Sequence, residues 1–226
     1  MLHFLDGSDA LDSVWDIEFE TVGDTDAGAG LTRIDHLAQT MSFDDMLSWT
    51  LFYTAIFDMT KRPMVDVIDP DGLVRSQAIA TADGALRITL NGADTYRTLA
   101  GQLLSSTFGA PLQHMAFATD DIFATADTLA ANGFEVLPMT TNYYDDLAAR
   151  FGLTPADRDR LATRNILYDR DERGEYFQLY SAGLTGGLFV EIVERRGGYA
   201  GYGAPNAPFR IAAQKRLVST KGVPAH

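Results

Sequence analysis

The chain has 226 residues and a mass of 24.7 kDa, and 46% of its residues are hydrophobic, enough to build the core of one large domain or two small ones. Its net charge of −13 and its pI near 4.5 argue against nucleic acid or an anionic membrane surface as a partner, because both bind clustered Lys and Arg. The absence of cysteine excludes disulfides, thiolate metal ligands and a cysteine nucleophile, and it fits a reducing compartment.

The N-terminal region indicates neither a signal peptide nor a membrane span. "MLHFLDGSDA" has no charged segment followed by a long apolar run, and no stretch of the chain approaches the roughly 18 apolar residues of a membrane helix. We therefore expect a cytoplasmic protein without membrane association. Residues 1–30 are acidic and end in the run "GDTDAGAGL", which predicts an N-terminal segment and linker before a domain of residues 31–226.

The first half of this domain, module 1 at about residues 32–91, has the predicted order β-α-β-β-β. Polar and apolar residues alternate over residues 32–39, and Ser42 followed by "FDD" predicts the N-cap of a helix that ends near Phe57. Three strand patterns follow, "PMVDVID", "LVRSQAIAT" and "ALRITLN", separated by turns. The predicted apolar stripe of the helix comprises Leu47, Leu51 and Thr54.

The second half, module 2 at about residues 110–195, repeats that order. A strand at "APLQHMAFAT" precedes a helix that Asn132 and Gly133 should end. A strand at "EVLPM", two helical segments around "YYDDLAARF" and "PADRDRLA", and strands at "NILYDR", "EYFQLYS" and "LFVEIVER" follow. With the two helical segments treated as an insertion, the halves form an internal repeat. The predicted fold is α+β, with two βαβββ modules in one curved, mostly antiparallel sheet around a cavity.

Two internal histidines stand at equivalent places in the repeat, His36 in "IDHLA" and His114 in "LQHMA". His114 follows His36 by 78 positions, and Glu191 in the last strand follows His114 by 77. The two-residue period of a strand places Glu191 on the same face as Phe189 and Val193. An ionised carboxylate between apolar neighbours on a core face costs several kcal/mol unless it is paired, and a bound cation removes that cost.

These three residues therefore predict a metal site. Two imidazoles and one carboxylate, with further coordination positions open, form the facial set suited to Fe(II), and Mn(II), Co(II), Ni(II), Zn(II) or Mg(II) are also compatible with them. Taken singly, each histidine is also explained as a hydrogen-bonded core residue, and Glu191 as the partner of an arginine. Their joint occurrence at equivalent places in the repeat favours the metal.

The stretches that carry these residues resemble the vicinal-oxygen-chelate superfamily, and within it the C-terminal, catalytic half of 4-hydroxyphenylpyruvate dioxygenase. They are "RIDHLAQ", "LQHMAFATDDI", "EYFQLYS", "GLFVEIVERRG" and "GYGAPNAPF". The resemblance implies that His36, His114 and Glu191 are iron ligands in a barrel-like sheet. It extends, through "LTRIDHLAQTM", "NILYDRDE" and "YGAPNAPFRIAAQKR", to the dioxygenase-like domain fused to a sugar-isomerase-like barrel in some bacterial 3-dehydroshikimate dehydratases.

The resemblance also implies a polar substrate pocket. Ser76 and Asn91 keep the interval of the family's serine and asparagine on neighbouring strands. Gln113 and Gln178 match two pocket glutamines, and Gln102 matches a third if the loop before "PLQH" is somewhat shorter than in the family.

Two departures from the family pattern bear on activity. Ala207 stands where the family has an aromatic residue that contacts the substrate ring, and only about thirty residues precede the domain where the family enzyme has a complete N-terminal barrel. The C-terminal segment at about residues 199–217 should still form a lid over the pocket. Its predicted apolar anchors are Phe209, Ile211 and Ala212.

The resemblance supports two main hypotheses of function. One is an Fe(II)-dependent dioxygenase that acts on a 2-oxo acid or a related hydroxylated aromatic together with O₂. The other is a non-catalytic metal-binding domain that stabilises or regulates a 3-dehydroshikimate dehydratase, as a partner or a fused unit; a homo-oligomer is also compatible with the sequence. A metal-assisted isomerase or lyase is disfavoured, because such family members usually replace one histidine by a second carboxylate.

Overall fold

The computed structural model describes residues 8–20, 28–107 and 109–221. Its helices are α1 (Asp9–Glu18), α2 (Phe43–Ile56), α3 (Leu99–Ser106), α4 (Ile122–Ala131), α5 (Thr141–Phe151), α6 (Pro155–Ala162) and α7 (Ala207–Lys221). Its strands are β1 (Leu31–Ser42), β2 (Thr60–Lys61), β3 (Val65–Asp69), β4 (Gly72–Ala80), β5 (Arg87–Ala93), β6 (Leu112–Thr119), β7 (Leu167–Arg170), β8 (Gly174–Tyr180) and β9 (Phe189–Gly197).

All nine strands belong to one sheet, in the order β2-β4-β5-β1-β6-β9-β8-β7, with β3 also paired to β4. The pairs β1/β5 and β6/β9 are parallel and the other pairs are antiparallel. Each module therefore contributes one half of the sheet, with its first and last strands side by side. The halves join through β1 and β6, so the predicted mixed α+β fold with a curved, mostly antiparallel sheet is confirmed.

Helix caps explain where the helices begin. Ser42 Oγ accepts a hydrogen bond from the backbone N–H of Asp45 at 3.1 Å, and Asp121 Oδ1 accepts from two backbone N–H groups at the start of α4. Thr154 caps α6, whose first residue is Pro155, a position that needs no backbone donor. The predicted N-cap at Ser42 and the end of α2 before Phe57 agree with the structure.

Two apolar cores hold the helices against the sheet. The larger one lies in module 2, where α4, α5 and α6 pack on β7, β8 and β9. The smaller one lies in module 1, where α2 packs on β1, β4 and β5 around Met46, Tyr53, Ile79 and Leu90. The cores leave the region between α3, α7 and the β1/β6 junction for a cavity.

The structure corrects the predicted face of α2. Leu47 and Leu51 are 48% and 69% exposed and Thr54 is half-buried, whereas Met46, Thr50 and Tyr53 face the sheet. The helix carries apolar side chains on every side, so spacing alone could not identify the buried face.

Two further predictions of local structure were wrong. "EVLPM" forms only an isolated bridge between Val136 and Ser181, which agrees with the presence of Pro138 in that segment. The segment before "PLQH", predicted as a loop, contains α3 instead. Without a strand at "EVLPM", module 2 keeps the order β-α-β-β-β once α5 and α6 are set aside.

In the N-terminal segment the structure describes α1, while most of the predicted linker, residues 21–27, lies outside the described residues. The division at residue 31 stays a prediction. Among the helices that are described, none combines the length and apolar character needed to cross a bilayer.

Candidate metal centre and cavity

Strand register brings the two predicted histidines together. In the antiparallel pair of β1 and β6, His36 lies opposite Ala116 and Ala38 lies opposite His114, so both imidazoles project from the same face two residues apart. The alanines are fully buried, and their methyl groups leave room for the neighbouring rings. Glu191 in β9 pairs with Ala116 across the parallel β6/β9 ladder and completes the group on that face.

The three donor atoms form a nearly equilateral triangle. His36 Nε2 lies 3.3 Å from Glu191 Oε2, His114 Nε2 lies 3.2 Å from the same oxygen, and the two Nε2 atoms are 3.4 Å apart. All three residues are buried, at 2%, 7% and 1% exposure. The structure thus brings together the three residues that the sequence proposes as ligands.

Glu191 is held so that only one of its oxygens faces the histidines. Its Oε1 accepts hydrogen bonds from Gln178 Nε2 at 2.9 Å and from Tyr176 Oη at 3.3 Å, while Oε2 points to the two imidazoles. Gln178 is fixed in turn, because its Oε1 accepts from Asn206 Nδ2 at 2.8 Å. This chain of amides fixes the carboxylate for coordination through a single oxygen.

His36 is oriented by a buried carboxylate. Its Nδ1–H donates to Asp35 Oδ1 at 2.8 Å, which leaves the Nε2 lone pair free, because a carboxylate can only accept. Asp35 is 1% exposed and accepts two hydrogen bonds from Arg195, Nε to Oδ2 and Nη2 to Oδ1, both at 2.9 Å. Arg195 also donates from Nη1 to the carbonyl of Gly201 at 2.6 Å. The fork of Arg195 therefore fixes Asp35, which fixes the imidazole.

His114 has apolar support instead. Its ring stacks on Phe189 with centroids 4.8 Å apart, and its buried Nδ1 has no hydrogen-bond partner among the described residues. Burial lowers the pKa of His114 to about 4, so this imidazole is neutral at physiological pH. A neutral ring with an unshared Nε2 lone pair is the form that binds a metal.

His36 and Glu191 shift each other's pKa values in opposite directions. Burial opposes a charged His36, but Glu191 and Asp35 beside it raise its pKa above the usual value. Burial likewise opposes an ionised Glu191, but the two imidazoles hold its pKa well below the usual range. Without a metal, the cluster therefore stabilises a carboxylate next to a proton on His36.

The donor set fits a divalent metal. The centre of a triangle with 3.2–3.4 Å edges lies about 1.9 Å from each corner, close to the usual metal–donor distance of about 2.0–2.2 Å. Two nitrogens and one oxygen on one face suit Fe(II) and the related divalent ions named above. His36, His114 and Glu191 would hold such an ion.

The donor triangle opens into a cavity of about 450 Å³, a size typical of small-molecule sites. Four of the predicted pocket residues line it: Ser76, Asn91, Gln102 and Gln113. Ser76 and Asn91 are cross-strand partners in β4 and β5, and Asn91 Nδ2 donates to Gln113 Oε1 at 3.2 Å. These three side chains form a polar wall beside His114.

The two predicted glutamines outside this wall, Gln102 and Gln178, differ in position. Gln178 is 1% exposed and lies behind Glu191, where it bonds Glu191, Tyr180 and Asn206 rather than the cavity. Gln102 sits at the cavity rim on α3 with an exposed side chain that donates to the carbonyl of Arg97 at 3.1 Å. Gln178 therefore supports the Glu191 carboxylate, and Gln102 lies at the edge of the cavity.

Helix α7 lies in the segment predicted as a lid, and several of its residues line the cavity. Ala207 and Ile211 line the cavity, Phe209 is half-buried, and Ile211 is 5% exposed. Ala212 is exposed, and the buried anchor is the next residue, Ala213. Lys215 fastens the helix to module 1 through ion pairs with Asp69 and Asp71 at the end of β3. The lid therefore bridges both halves of the sheet.

A glycine sets the approach of α7 to the cluster of His36, His114 and Glu191. Gly203 has φ of +59°, and a Cβ there would lie 2.1 Å from Gln178 Oε1. The next turn brings Asn206 to that same oxygen, and Asn206 Oδ1 accepts from Tyr143 Oη at 3.0 Å. Asn206, directly before α7, is therefore hydrogen-bonded to Gln178, which in turn donates to Glu191.

The repeat also shows what module 1 does not contribute. Ala38 pairs with Thr89 of β5 in the same way that Ala116 pairs with Glu191 of β9. Thr89 therefore occupies in module 1 the place that Glu191 occupies in module 2. Its side chain lines the cavity.

Several residues around the centre were not identified from the sequence. Asp35 and Arg195 were passed over although "IDH" and "VERRG" contain them, because a pair separated by 160 positions leaves no periodic signal. Tyr202, whose ring meets His36 edge-on with centroids 5.2 Å apart, lies in a Gly-rich loop that carries no periodic signal. Arg210 on α7 was likewise not singled out.

Comparison with known proteins places the chain in a family. The profile of the Glyoxalase/Bleomycin resistance protein/Dioxygenase superfamily matches residues 33–164, which include the first two proposed ligands. A 4-hydroxyphenylpyruvate dioxygenase from a Pseudomonas species is 32% identical over 234 residues, covering 98% of this chain and 64% of the relative.

Two curated relatives carry the name 3-dehydroshikimate dehydratase. The one from Pseudomonas putida is 38% identical over 220 residues, covering 97% of this chain and 35% of the relative. The one from Pseudomonas aeruginosa is 41% identical over 202 residues, covering 89% and 32%. The chain thus spans about a third of the length of these dehydratases.

Solved structures give the same result. A xylose isomerase-like TIM barrel/4-hydroxyphenylpyruvate dioxygenase fusion protein matches with a TM-score of 0.70 and 40% identity, over 83% of this chain and 29% of that protein. A mutant of 4-hydroxymandelate synthase from Streptomyces coelicolor matches with a TM-score of 0.76 and 28% identity, over 83% and 55%. The resemblance stated from the sequence is confirmed, and the chain belongs to the glyoxalase/bleomycin resistance protein/dioxygenase superfamily, with the vicinal-oxygen-chelate fold.

Proposed function

We propose that this chain is an Fe(II)-dependent dioxygenase similar to 4-hydroxyphenylpyruvate dioxygenase, acting on a 2-oxo acid or a related hydroxylated aromatic with O₂. The observation that carries the proposal is the buried triangle of His36, His114 and Glu191 at the base of a covered cavity. The relatives named 4-hydroxyphenylpyruvate dioxygenase support the same reaction class. Other divalent ions fit the same donors, so the metal is part of the proposal.

Each part of the site has a role in this chemistry. When bound, Fe(II) supplies a redox-active centre with open coordination positions for a chelating acid and O₂. Asp35 keeps the His36 lone pair directed at the centre, and Gln178 does the same for Glu191. Asn91 and Gln113 offer amide groups that orient the substrate, with Ser76 beside them. Helix α7 limits the access of water.

Oxygen uptake tests the proposal directly. The protein is reconstituted anaerobically with Fe(II), and O₂ consumption and CO₂ release are measured with a panel of 2-oxo acids that includes 4-hydroxyphenylpyruvate. We expect stoichiometric O₂ uptake and CO₂ release with at least one acid, loss of both in Glu191→Ala, and full activity in Asp66→Asn, an exposed aspartate of β3. Metal-loaded protein that takes up no O₂ with any acid would contradict the proposal.

A second candidate function rests on the dehydratase relatives. Because the chain spans about a third of their length and a barrel fusion is among its structural neighbours, a non-catalytic metal-binding domain that supports a 3-dehydroshikimate dehydratase is the alternative. Adding this chain to a separately expressed dehydratase barrel and measuring dehydration tests it. An increase in that activity together with no O₂ uptake would favour this alternative over the dioxygenase.

A further inference from the structure

One arginine in the cavity wall is buried and has no acidic partner among the described residues. Arg210 is 9% exposed, the lowest value of any lysine or arginine among the residues whose side chains are described. No carboxylate in the described part of the chain lies within ion-pair distance of its guanidinium. By contrast, Arg195 near the metal centre is fully paired with Asp35. A buried cation without a partner is costly, so it indicates a missing anion.

The guanidinium is held in place by groups that do not cancel its charge. Its Nη1 donates to Gln214 Oε1 at 2.7 Å, one turn further along α7. Its Cζ lies 5.0 Å from the ring centroid of Phe189 and 5.6 Å from that of Tyr180. A guanidinium has five N–H donors in a fixed plane, and this one is oriented with most of them uncommitted.

The same arginine lies close to the metal centre. Phe189 contacts it on one side, with Cζ 5.0 Å from the ring centroid, and stacks on His114 with centroids 4.8 Å apart, so the guanidinium is within about 10 Å of the His114 ring. Both residues line the same cavity. One small molecule can therefore contact the metal centre and Arg210 together.

Charge balance gives the class of that molecule. The ionised side chains that line the cavity are Asp69, Glu191 and Arg210. Asp69 is neutralised by Lys215, and a divalent metal with the single negative charge of Glu191 keeps one positive charge. With Arg210 the cavity therefore presents two positive charges, which a ligand with two negative charges would balance.

We propose that the cavity binds a small diacid, with one acidic end at the metal centre and a second carboxylate paired with Arg210. The inference rests on the proposed function for the metal-bound end, and it adds the requirement for a second anionic group. Ala207 lines the cavity one turn before Arg210 on α7, and its small side chain leaves space there.

Two matched pairs of acids test the inference on the full chain loaded with Zn(II), which does not turn over with O₂. The first pair is 2-oxoglutarate and 2-oxopentanoate, which differ only in a terminal carboxylate or methyl. The second pair is glutarate and pentanoate, which lack the 2-oxo group. Affinities are measured by isothermal titration calorimetry at low and high salt.

We expect each diacid to bind at least about tenfold more tightly than its matched monoacid, as is typical of a charge-assisted hydrogen-bonded pair, with a preference that falls at high salt. Arg210→Gln should remove the preference and leave 2-oxopentanoate affinity within about twofold, whereas Arg210→Lys should keep part of it. Arg216→Gln, an exposed position on the same helix, is the control and should change nothing.

The outcomes separate this inference from the proposed function. Equal affinity for monoacid and diacid in both pairs with wild-type protein would overturn it, even if 2-oxo acids bind and the dioxygenase proposal stands. An Arg210-dependent preference for glutarate without any contribution of the 2-oxo group would uphold it and count against 2-oxo acid chelation. Failure of all four acids to bind would overturn this inference, while the dioxygenase proposal would still be decided by the oxygen-uptake assay with its wider panel of acids. The wild-type comparison decides the matter even if an Arg210 variant does not fold.

Discussion

Asp35 should be the most sensitive polar residue around the metal centre. It joins His36 at 2.8 Å to the fork of Arg195 at 2.9 Å, and it is 1% exposed. Asp35→Asn keeps the shape but leaves a mostly buried guanidinium without a counter-charge. Breaking such a pair costs about 3–5 kcal/mol, and we expect about 3 kcal/mol because Asn keeps one acceptor oxygen. In a domain of this size that lowers the Tm by about 6–12 °C.

Metal affinity should fall as well, by about 10–100-fold, because the His36 ring loses its anionic partner. Urea unfolding at pH 7 measures the stability change, and competition with a chelator measures the affinity. A double-mutant cycle with Arg195→Gln sharpens the test, since the second change should add little once the pair is broken. Asp66→Asn is the control, with an expected change within about 0.5 kcal/mol.

The same variant predicts a pH dependence. Burial opposes ionisation of Asp35, but its hydrogen bonds and charge interactions with His36 and Arg195 hold its pKa well below 3.8, the ordinary value of an aspartate side chain. Its contribution to stability is therefore fully present above that value and is lost as the pH falls towards its folded pKa. The wild type should exceed the variant in stability at pH 7, and the difference should shrink below pH 3.8. Equal Tm, equal metal affinity and additive double-mutant losses would refute this account of Asp35.

Four other outcomes are expected. A chelator should lower the Tm of metal-loaded wild type, and Glu191→Ala should lose most of that sensitivity in scanning fluorimetry; an identical shift in both would contradict a metal at this site. Metal binding should release a proton, because Glu191 and Asp35 outweigh burial and raise the pKa of His36. Apparent metal affinity should therefore increase with pH, and calorimetry in buffers of different ionisation enthalpy would measure the released proton; no proton release would contradict a protonated His36 in the metal-free protein. Gly203→Ala should destabilise the fold by more than about 1 kcal/mol in urea unfolding, and no loss would argue against the close contact described there. Lys215→Met should increase hydrogen exchange across α7, because it leaves the buried carboxylate of Asp69 without its ion pair. Lys61→Met on β2 is the control, and equal exchange in both variants would show that the Lys215–Asp69 pair does not secure α7.

The candidate ligands could be predicted from the sequence because two simple rules select them. A strand alternates faces with a period of two, and a repeat places equivalent residues at equivalent positions, so His36, His114 and Glu191 stand out without any tertiary information. Ser76 and Asn91 were implied by the family resemblance, and in the structure they are partners across β4 and β5.

The features that could not be predicted from the sequence depend on tertiary contacts. Helix α2 is apolar on every side, so its sequence does not show which side meets the sheet. Met46 rather than Leu47 is buried there, and it packs against Gly92 of β5, where a Cβ atom would lie 3.0 Å from Met46 Sδ. The support of His36 by Arg195 is a contact between distant strands. Gln178 is on the predicted strand and face, yet its amide is used by Glu191 and Asn206, which only the packed structure shows.

Thr89 holds in module 1 the position that Glu191 holds in module 2, and this difference makes the site chemically asymmetric. The two halves have nearly the same architecture but differ in chemistry: among the described residues, module 2 supplies the carboxylate of the candidate ligand set, and module 1 has a hydroxyl at the matching position. Beside that hydroxyl, Ser76 of β4 and Asn91 of β5 line the cavity. Changes in β4 and β5 can then alter which molecule is accepted while the ligands stay intact, so selectivity and metal retention can evolve on separate strands.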